Sequence, residues 1–194
     1  ISSMSDGIYL VVIRAFDRVG NYAQKPILII IDRTAPVVEI VSPKNNSYIS
    51  SPNITIAINA TDNIALSHVE IYLNGSLIAN MTYMSSYLLY GLEDGKYVIK
   101  VKVYDINGNY WNGAIIISID TEAPSVIIVK PSDLEIVYSN NITIEWIGSG
   151  ATEYYVRLDN NAWISVGLTT SYIFTNVPRG LHTCLLYTSP SPRD

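Results

Sequence analysis

From Lys96 to Asp105 the chain alternates: Tyr97, Ile99, Val101 and Val103 fall on one face, Lys96, Lys100 and Lys102 on the other. A period of two predicts a half-buried strand. NITIAIN repeats the pattern, with Ile54, Ile56 and Ile58 inward and Asn53, Thr55, Ala57 and Asn59 outward. SHVEIYL does so again through Val69, Ile71 and Leu73, which leaves His68 on the outer face. No stretch carries a comparable helical period. The longest apolar run, Ile27 to Ile31, suits a strand and is far short of a membrane span, which needs roughly 18–20 residues.

The strand pattern recurs at a fixed distance. DGIYLVVIRAFDRVGNY from Asp6 aligns without gaps on DGKYVIKVKVYDINGNY from Asp94, 88 positions on. DRTAPVVEIVSP from Asp32 aligns on DTEAPSVIIVKP from Asp120, and Asn53-Ile54-Thr55-Ile56 on Asn141-Ile142-Thr143-Ile144, at the same spacing. Later the offset falls to 85, where Ile71-Tyr72-Leu73 answers Val156-Arg157-Leu158 and Gly95 answers Gly180. A fixed period of this length marks an array of equal modules. About seven short strands per period, separated by turn residues, predict a two-sheet antiparallel β-sandwich.

This register predicts four segments. Residues 1–34 supply the last strands of a first module, 35–122 a complete module, and 123–183 a truncated third. Residues 184–194, CLLYTSPSPRD, break the repeat: Pro190 stands where an Asp105 counterpart is expected and Arg193 where a Gly108 counterpart is. That string is similar to the translation of a transposase-type sequencing adaptor, which implies a non-native tail. The chain begins at Ile1 rather than at a start methionine and is read as a fragment. At the junctions Pro36 and Pro124 fix their own φ and bias Ala35 and Ala123 to extended backbone, so a stiff, extended string is expected.

Composition narrows the role. A formal net charge of −5 and a charged fraction of 15% argue against a nucleic-acid partner, which would need a basic patch. Cys184, the only cysteine, lies in the aberrant tail, so disulfides, thiol catalysis and cysteine metal sites drop out. His68 and His182 lack a matched nucleophile or metal partner, Glu93-Asp94 reads as a turn, and no phosphate loop occurs. The chain is read as non-enzymatic, with no catalytic residue and no cofactor beyond a structural Ca2+.

The Ca2+ candidates are Asp105, Asn107 and Asn109 in YDINGNY, with Asp17 in the twin FDRVGNY. An EF-hand puts Gly at the sixth position and Glu at the twelfth. Here those positions are Tyr110 and Ile116, and what the two copies share is Asp followed by Gly-Asn. Such a set is read as a hairpin turn, Gly taking positive φ and Asp and Asn bonding nearby backbone. Asp62, Glu93, Asp94 and Asp120 are further acids that could join a cation site, though spacing alone does not bring them together. Six Asn-x-Ser/Thr sequons, at Asn45, Asn53, Asn59, Asn74, Asn80 and Asn141, are glycosylation candidates if the chain is exported. Among the 15 Tyr and three Trp, Trp146 follows the core parity. Tyr83, Tyr87 and Tyr90, with Trp111 and Trp163 in or near loops, are candidates for stacking on sugar rings.

D-x-x-G-N-Y near the end of one module and D-[RT]-[TE]-A-P-x-V-x-I-x-x-P at the start of the next resemble the tandem Ig-like repeats of prokaryotic surface and secreted proteins. The likeness covers residues 1–183, and in the third module Trp146, Tyr155, Arg157, Leu158, Trp163 and Gly180 carry it. It implies immunoglobulin-like or fibronectin-III-like sandwiches, an extracellular or cell-surface location, and a spacer or adhesion role. The partners it implies are neighbouring modules and surface glycans or polysaccharide. The alternative is a carbohydrate-binding accessory module of an exported hydrolase.

Overall fold

A computed structural model describes residues 4–188. Its regular elements among those residues are all strands, so the chain is all-β. It divides between Ile119 and Asp120 into two compact units.

In the first unit, β1 (Gly7–Phe16) and β2 (Tyr22–Ile31) form an antiparallel hairpin, paired from Gly7 opposite Ile31 to Phe16 opposite Tyr22. Eight further strands follow: β3 (Val37–Ser42), β4 (Ser47–Ile49), β5 (Ile54–Thr61), β6 (Leu66–Leu73), β7 (Ser76–Thr82), β8 (Ser86–Leu89), β9 (Gly95–Asp105) and β10 (Tyr110–Ile119). They make two sheets, β3-β5-β8 and β4-β10-β9-β6-β7. The core lies between them and is built from the positions the alternation picks out. Ile54, Ile56 and Ile58 of β5 meet Val69 and Ile71 of β6, Ile99, Val101 and Val103 of β9, and Ile115, Ile117 and Ile119 of β10.

One pairing departs from the antiparallel expectation: β4 runs parallel to β10. Pro43 has no donor for a ladder and interrupts the first strand of the module. The chain beyond it crosses to the other sheet as β4. Asn45 secures the crossing, its Oδ1 accepting the Ile116 amide at 2.8 Å, while the Asn46 amide donates to the Ile116 carbonyl at 2.7 Å.

The β1–β2 hairpin departs in burial. Val11 and Ile13 occupy the inner-face positions of Ile99 and Val101 one period earlier, yet both are exposed. The same holds for Ile29, 40% exposed, against Ile117, 0% exposed. The cause is topological, since the hairpin is a two-stranded sheet of its own whereas β9 and β10 face a second sheet.

The second unit contains β11 (Ser125–Lys130), β12 (Ile142–Ser149), β13 (Tyr154–Leu158), β14 (Ile164–Gly167), β15 (Ser171–Phe174) and β16 (Cys184–Thr188). Its sheets, β11-β12-β15 and β14-β13-β16, match β3-β5-β8 and β7-β6-β9. Trp146, Ile144, Tyr154 and Val156 form its core. No strand answers β4 here among the described residues, and none answers β10, the strand on which β4 depends. Cys184 to Thr188, read from the sequence as lying outside the repeat, take the place of β9: Cys184 pairs opposite Leu158 as Ile99 does opposite Leu73. Alternating Cys184, Leu186 and Thr188 toward the interior satisfies a strand's period whatever the residues' origin. The rest of that tail, residues 189–194, lies outside the described residues.

Candidate metal centre

The YDINGNY segment forms a tight corner between β9 and β10. Oδ1 of Asp105 accepts the amides of Asn107 and Asn109 at 2.8 and 2.9 Å, and Oδ2 accepts Nδ2 of Asn109 at 2.7 Å. Gly108 adopts φ +91°, a left-handed conformation that a Cβ disfavours. The twin corner repeats every bond: Asp17 Oδ1 accepts the Val19 and Asn21 amides at 2.9 Å, Oδ2 accepts Nδ2 of Asn21 at 2.7 Å, and Gly20 has φ +92°. The shared residues therefore turn the chain in both places.

The two corners differ in their surroundings. Asp17 is exposed, whereas Asp105 is 2% exposed. Asp32, just after β2, and Asp62, just after β5, stand beside Asp105, with one carboxylate oxygen of each of the three within 4.8 Å of the others. Each carboxylate is held by local donors. Asp62 Oδ2 accepts the amides of Ile64 and Ala65 at 2.8 and 2.9 Å. Asp32 Oδ1 accepts the Thr34 amide and Nδ2 of Asn63, both at 3.2 Å. Nδ2 of Asn109 also reaches the Asp32 carbonyl at 3.3 Å, and the Ile106 amide donates to the Ala65 carbonyl at 3.1 Å, which draws the three segments together.

Two oxygens are left over. Oδ2 of Asp32 and Oδ1 of Asp62 are closed off from solvent and have no hydrogen-bond partner. The ion pairs found among the described residues involve other carboxylates, of Asp6, Glu70, Glu145 and Asp159. At an effective dielectric of 20, two unit charges about 5 Å apart repel by roughly 3 kcal/mol. Three ionised carboxylates in this arrangement are an unfavourable set that a bound cation reverses. The donors are all hard oxygens, the set a Ca2+- or Mg2+-like ion takes rather than zinc or copper.

Of the sequence candidates, Asp105 belongs to this cluster, and so does Asp62 from among the further acids, while Glu93, Asp94 and Asp120 do not. Asn109 supports it through its side-chain amide, Asn107 contributes a backbone amide to the corner, and Asp17 belongs to the separate twin corner. Asp32 was legible only as part of a linker motif. Its recurrence as Asp120, without a Gly-Asn of its own, is the signal that set it apart.

The aromatic candidates do not form one row. Tyr83, Tyr87 and Trp111 pack against the central core, and Tyr83 donates to the Ile58 carbonyl at 3.2 Å. Trp111 lies near the start of β10, just after the Asn109 corner, and shares the parity of Ile115 and Ile117. Tyr90 is exposed beside Gly91. Trp163 belongs to the second unit, with the Arg157 guanidinium 4.6 Å from its ring centre. All six sequon asparagines are exposed. Four use Oδ1 as a backbone acceptor: Asn45 for Ile116, Asn53 for Gly91, Asn74 for Val98 and Asn141 for Asn176. His68 stacks on Tyr104 with ring centres 4.3 Å apart, and His182 lies 2.9 Å from both an Asp159 carboxylate oxygen and the Pro178 carbonyl.

Two sheets with this strand order, closed on an aliphatic core and repeated along the chain, define a tandem array of immunoglobulin-like sandwiches. Residues 36–101 match the family model of the bacterial Ig domain. No curated protein matches the sequence. Among solved structures, the fibronectin(III)-like modules of Clostridium thermocellum CbhA are 18% identical over 80% of this chain and 87% of theirs, with a TM-score of 0.46. A tetra-tandem repeat from the extending region of a large adhesion protein is 18% identical over 98% of this chain and 58% of its own, with a TM-score of 0.40. Bacteroides ovatus SGBP-B, solved with a mixed-linkage heptasaccharide, is 14% identical over 82% of this chain and 45% of its own, with a TM-score of 0.38. The fold assignment rests on the strand order and the family match. Modules of this kind are typical of surface and secreted proteins, and no helix here is long and apolar enough to cross a membrane.

Proposed function

We propose that the chain is a non-catalytic spacer or adhesion segment of an extracellular surface or secreted protein, working as serial sandwiches joined with little slack. The observation that carries this reading is the way polar residues at the first junction are engaged. Asp6 accepts the Arg33 amide at 3.0 Å and the Thr34 hydroxyl at 2.7 Å, while Asn63 and Asn109 hold Asp32. The side chains between β2 and β3 thus fasten the strand exit to the sandwich that follows. The hairpin's open apolar face supports its assignment as the closing strand pair of a further sandwich, with the same register as β9 and β10.

A sandwich with strands of about eight residues plus loops adds on the order of 30–40 Å to such a string. Small-angle scattering on concatenated copies of the 88-residue period tests this. The expected maximum dimension grows linearly, by that increment per copy. Growth with the square root of copy number, as for freely jointed beads, would refute the spacer mechanism. The carbohydrate-binding alternative is tested on a glycan array, where retention abolished by Tyr90→Ala or Trp163→Ala would displace the spacer reading.

A further inference from the structure

We propose that Asp32, Asp62 and Asp105 bind one Ca2+ ion, which ties the strand exit at Asp32 to the two loops at that end of the sandwich. The cluster supplies three carboxylates from three separate segments, after β2, after β5 and at the end of β9. Two of those carboxylates each present an oxygen with neither solvent nor a donor, on Asp32 and on Asp62. Local amides hold the opposite oxygen of each, so the orphaned ones are left to face a ligand. A buried carboxylate oxygen without a donor is costly, and two of them beside a third buried carboxylate call for a positive charge.

The spacing accommodates the ion. Oxygens sharing one Ca2+ at about 2.3–2.6 Å lie at most about 5 Å apart. The observed 4.8 Å limit meets that without rearrangement. Mg2+, at about 2.0–2.1 Å, demands a near-ideal octahedron and gives up its waters reluctantly, which suits three carboxylates from separate segments less well. The repeat also fixes the stoichiometry. Asp120 answers Asp32, but Gly150 stands 88 positions after Asp62, and Pro190 or Arg193 where Asp105 would recur. One complete set, hence one ion per chain, is expected. Any effect of the ion on the stiffness of the string rests on the spacer reading, whereas the binding does not.

Isothermal titration of the chelator-treated full chain with CaCl2, with MgCl2 in parallel, tests the site. One Ca2+ per chain is expected, with a Kd on the order of 10⁻⁴–10⁻³ M or tighter, the range of extracellular modules. Mg2+ should bind at least about tenfold more weakly. Asp62→Asn keeps the side chain's shape and its bonds to Ile64 and Ala65. It should weaken Ca2+ at least about tenfold, and with chelator present it should melt no lower than the parent, because one like charge is gone. Asp17→Asn should leave the Ca2+ response intact. No heat and no melting shift with the parent chain at about 10 mM Ca2+ would overturn the site. So would an undiminished response in Asp62→Asn, while equal binding of Mg2+ would overturn the assignment to calcium. Because the readout is binding rather than dimensions, its failure is separate from failure of the spacer reading.

Discussion

Ile29 and Ile117 stand at the same place in successive periods, and both are isoleucine, so the same truncation to alanine reads out burial alone. Ile117 is 0% exposed between two sheets, while Ile29 is 40% exposed on the lone hairpin. Removing three buried carbons costs about 2.4 kcal/mol in transfer. The cavity left in a closed core raises the total for Ile117→Ala to roughly 3–4 kcal/mol, within the observed range for such changes. At Ile29 the transfer part shrinks to about 1.4 kcal/mol or less, and the open face leaves no cavity. Hydrogen exchange followed by mass spectrometry separates the strands of the first unit from those of the second. A loss of 3–4 kcal/mol speeds globally limited exchange in β5 and β9 by roughly 150- to 700-fold. Ile29→Ala should leave those two strands nearly unchanged and act mainly within β1 and β2. Equal acceleration of β5 and β9 by the two variants, or less than about tenfold from Ile117→Ala, would refute the account of where the core lies. Where further strands close the hairpin's open face, Ile29→Ala should rise toward the Ile117 value.

Gly108→Ala is expected to destabilise the first unit by about 1–2 kcal/mol, through the left-handed backbone alone, since no atom lies within 4 Å of the added methyl. A thermal melt that does not fall would show that the corner relaxes to another turn. The second unit should depend on pH through His182, whose pKa is held above its ordinary 6.5 by its hydrogen bonds to Asp159 and then to the Pro178 carbonyl. Asp159 is held below its ordinary 3.8, first by His182 and then by the Thr183 amide. The raised group stabilises fully below about pH 6.5 and loses that contribution as pH rises through its folded value. The depressed group stabilises above about pH 3.8 and loses its share as pH falls through its own. The melting temperature of the second unit should therefore fall between about pH 6 and 9, and Asp159→Asn should flatten that fall; an unchanged slope in the variant would break the link.

Period-two alternation was enough to place Ile56, Ile71 and Ile99 inward, because each of those strands lies in a sheet that faces another. Val11 and Ile13 share the parity of Ile99 and Val101 one period later and are exposed for a reason no local pattern carries: burial belongs to the opposing sheet, and the hairpin has none among the described residues. The Asp105 corner was equally legible, since its bonds run no further than four residues along the chain. What the corner stands beside was not. Asp32, Asp62 and Asp105 are separated by 30 and 43 positions, and only the stacking of β5 on β9 and the route of the chain out of β2 bring them together. A turn-forming aspartate and a ligating one use the same side chain, and Asp105 can do both because its local bonds leave lone pairs on Oδ2. The comparison within the chain then separates the two uses. Asp17 keeps the turn without neighbours, and Asp105 keeps it beside two carboxylates whose free oxygens no turn accounts for. Corner geometry explains what the two copies share, and the two unpartnered oxygens beside Asp105 are what the second copy adds, the feature the proposed cation would neutralise.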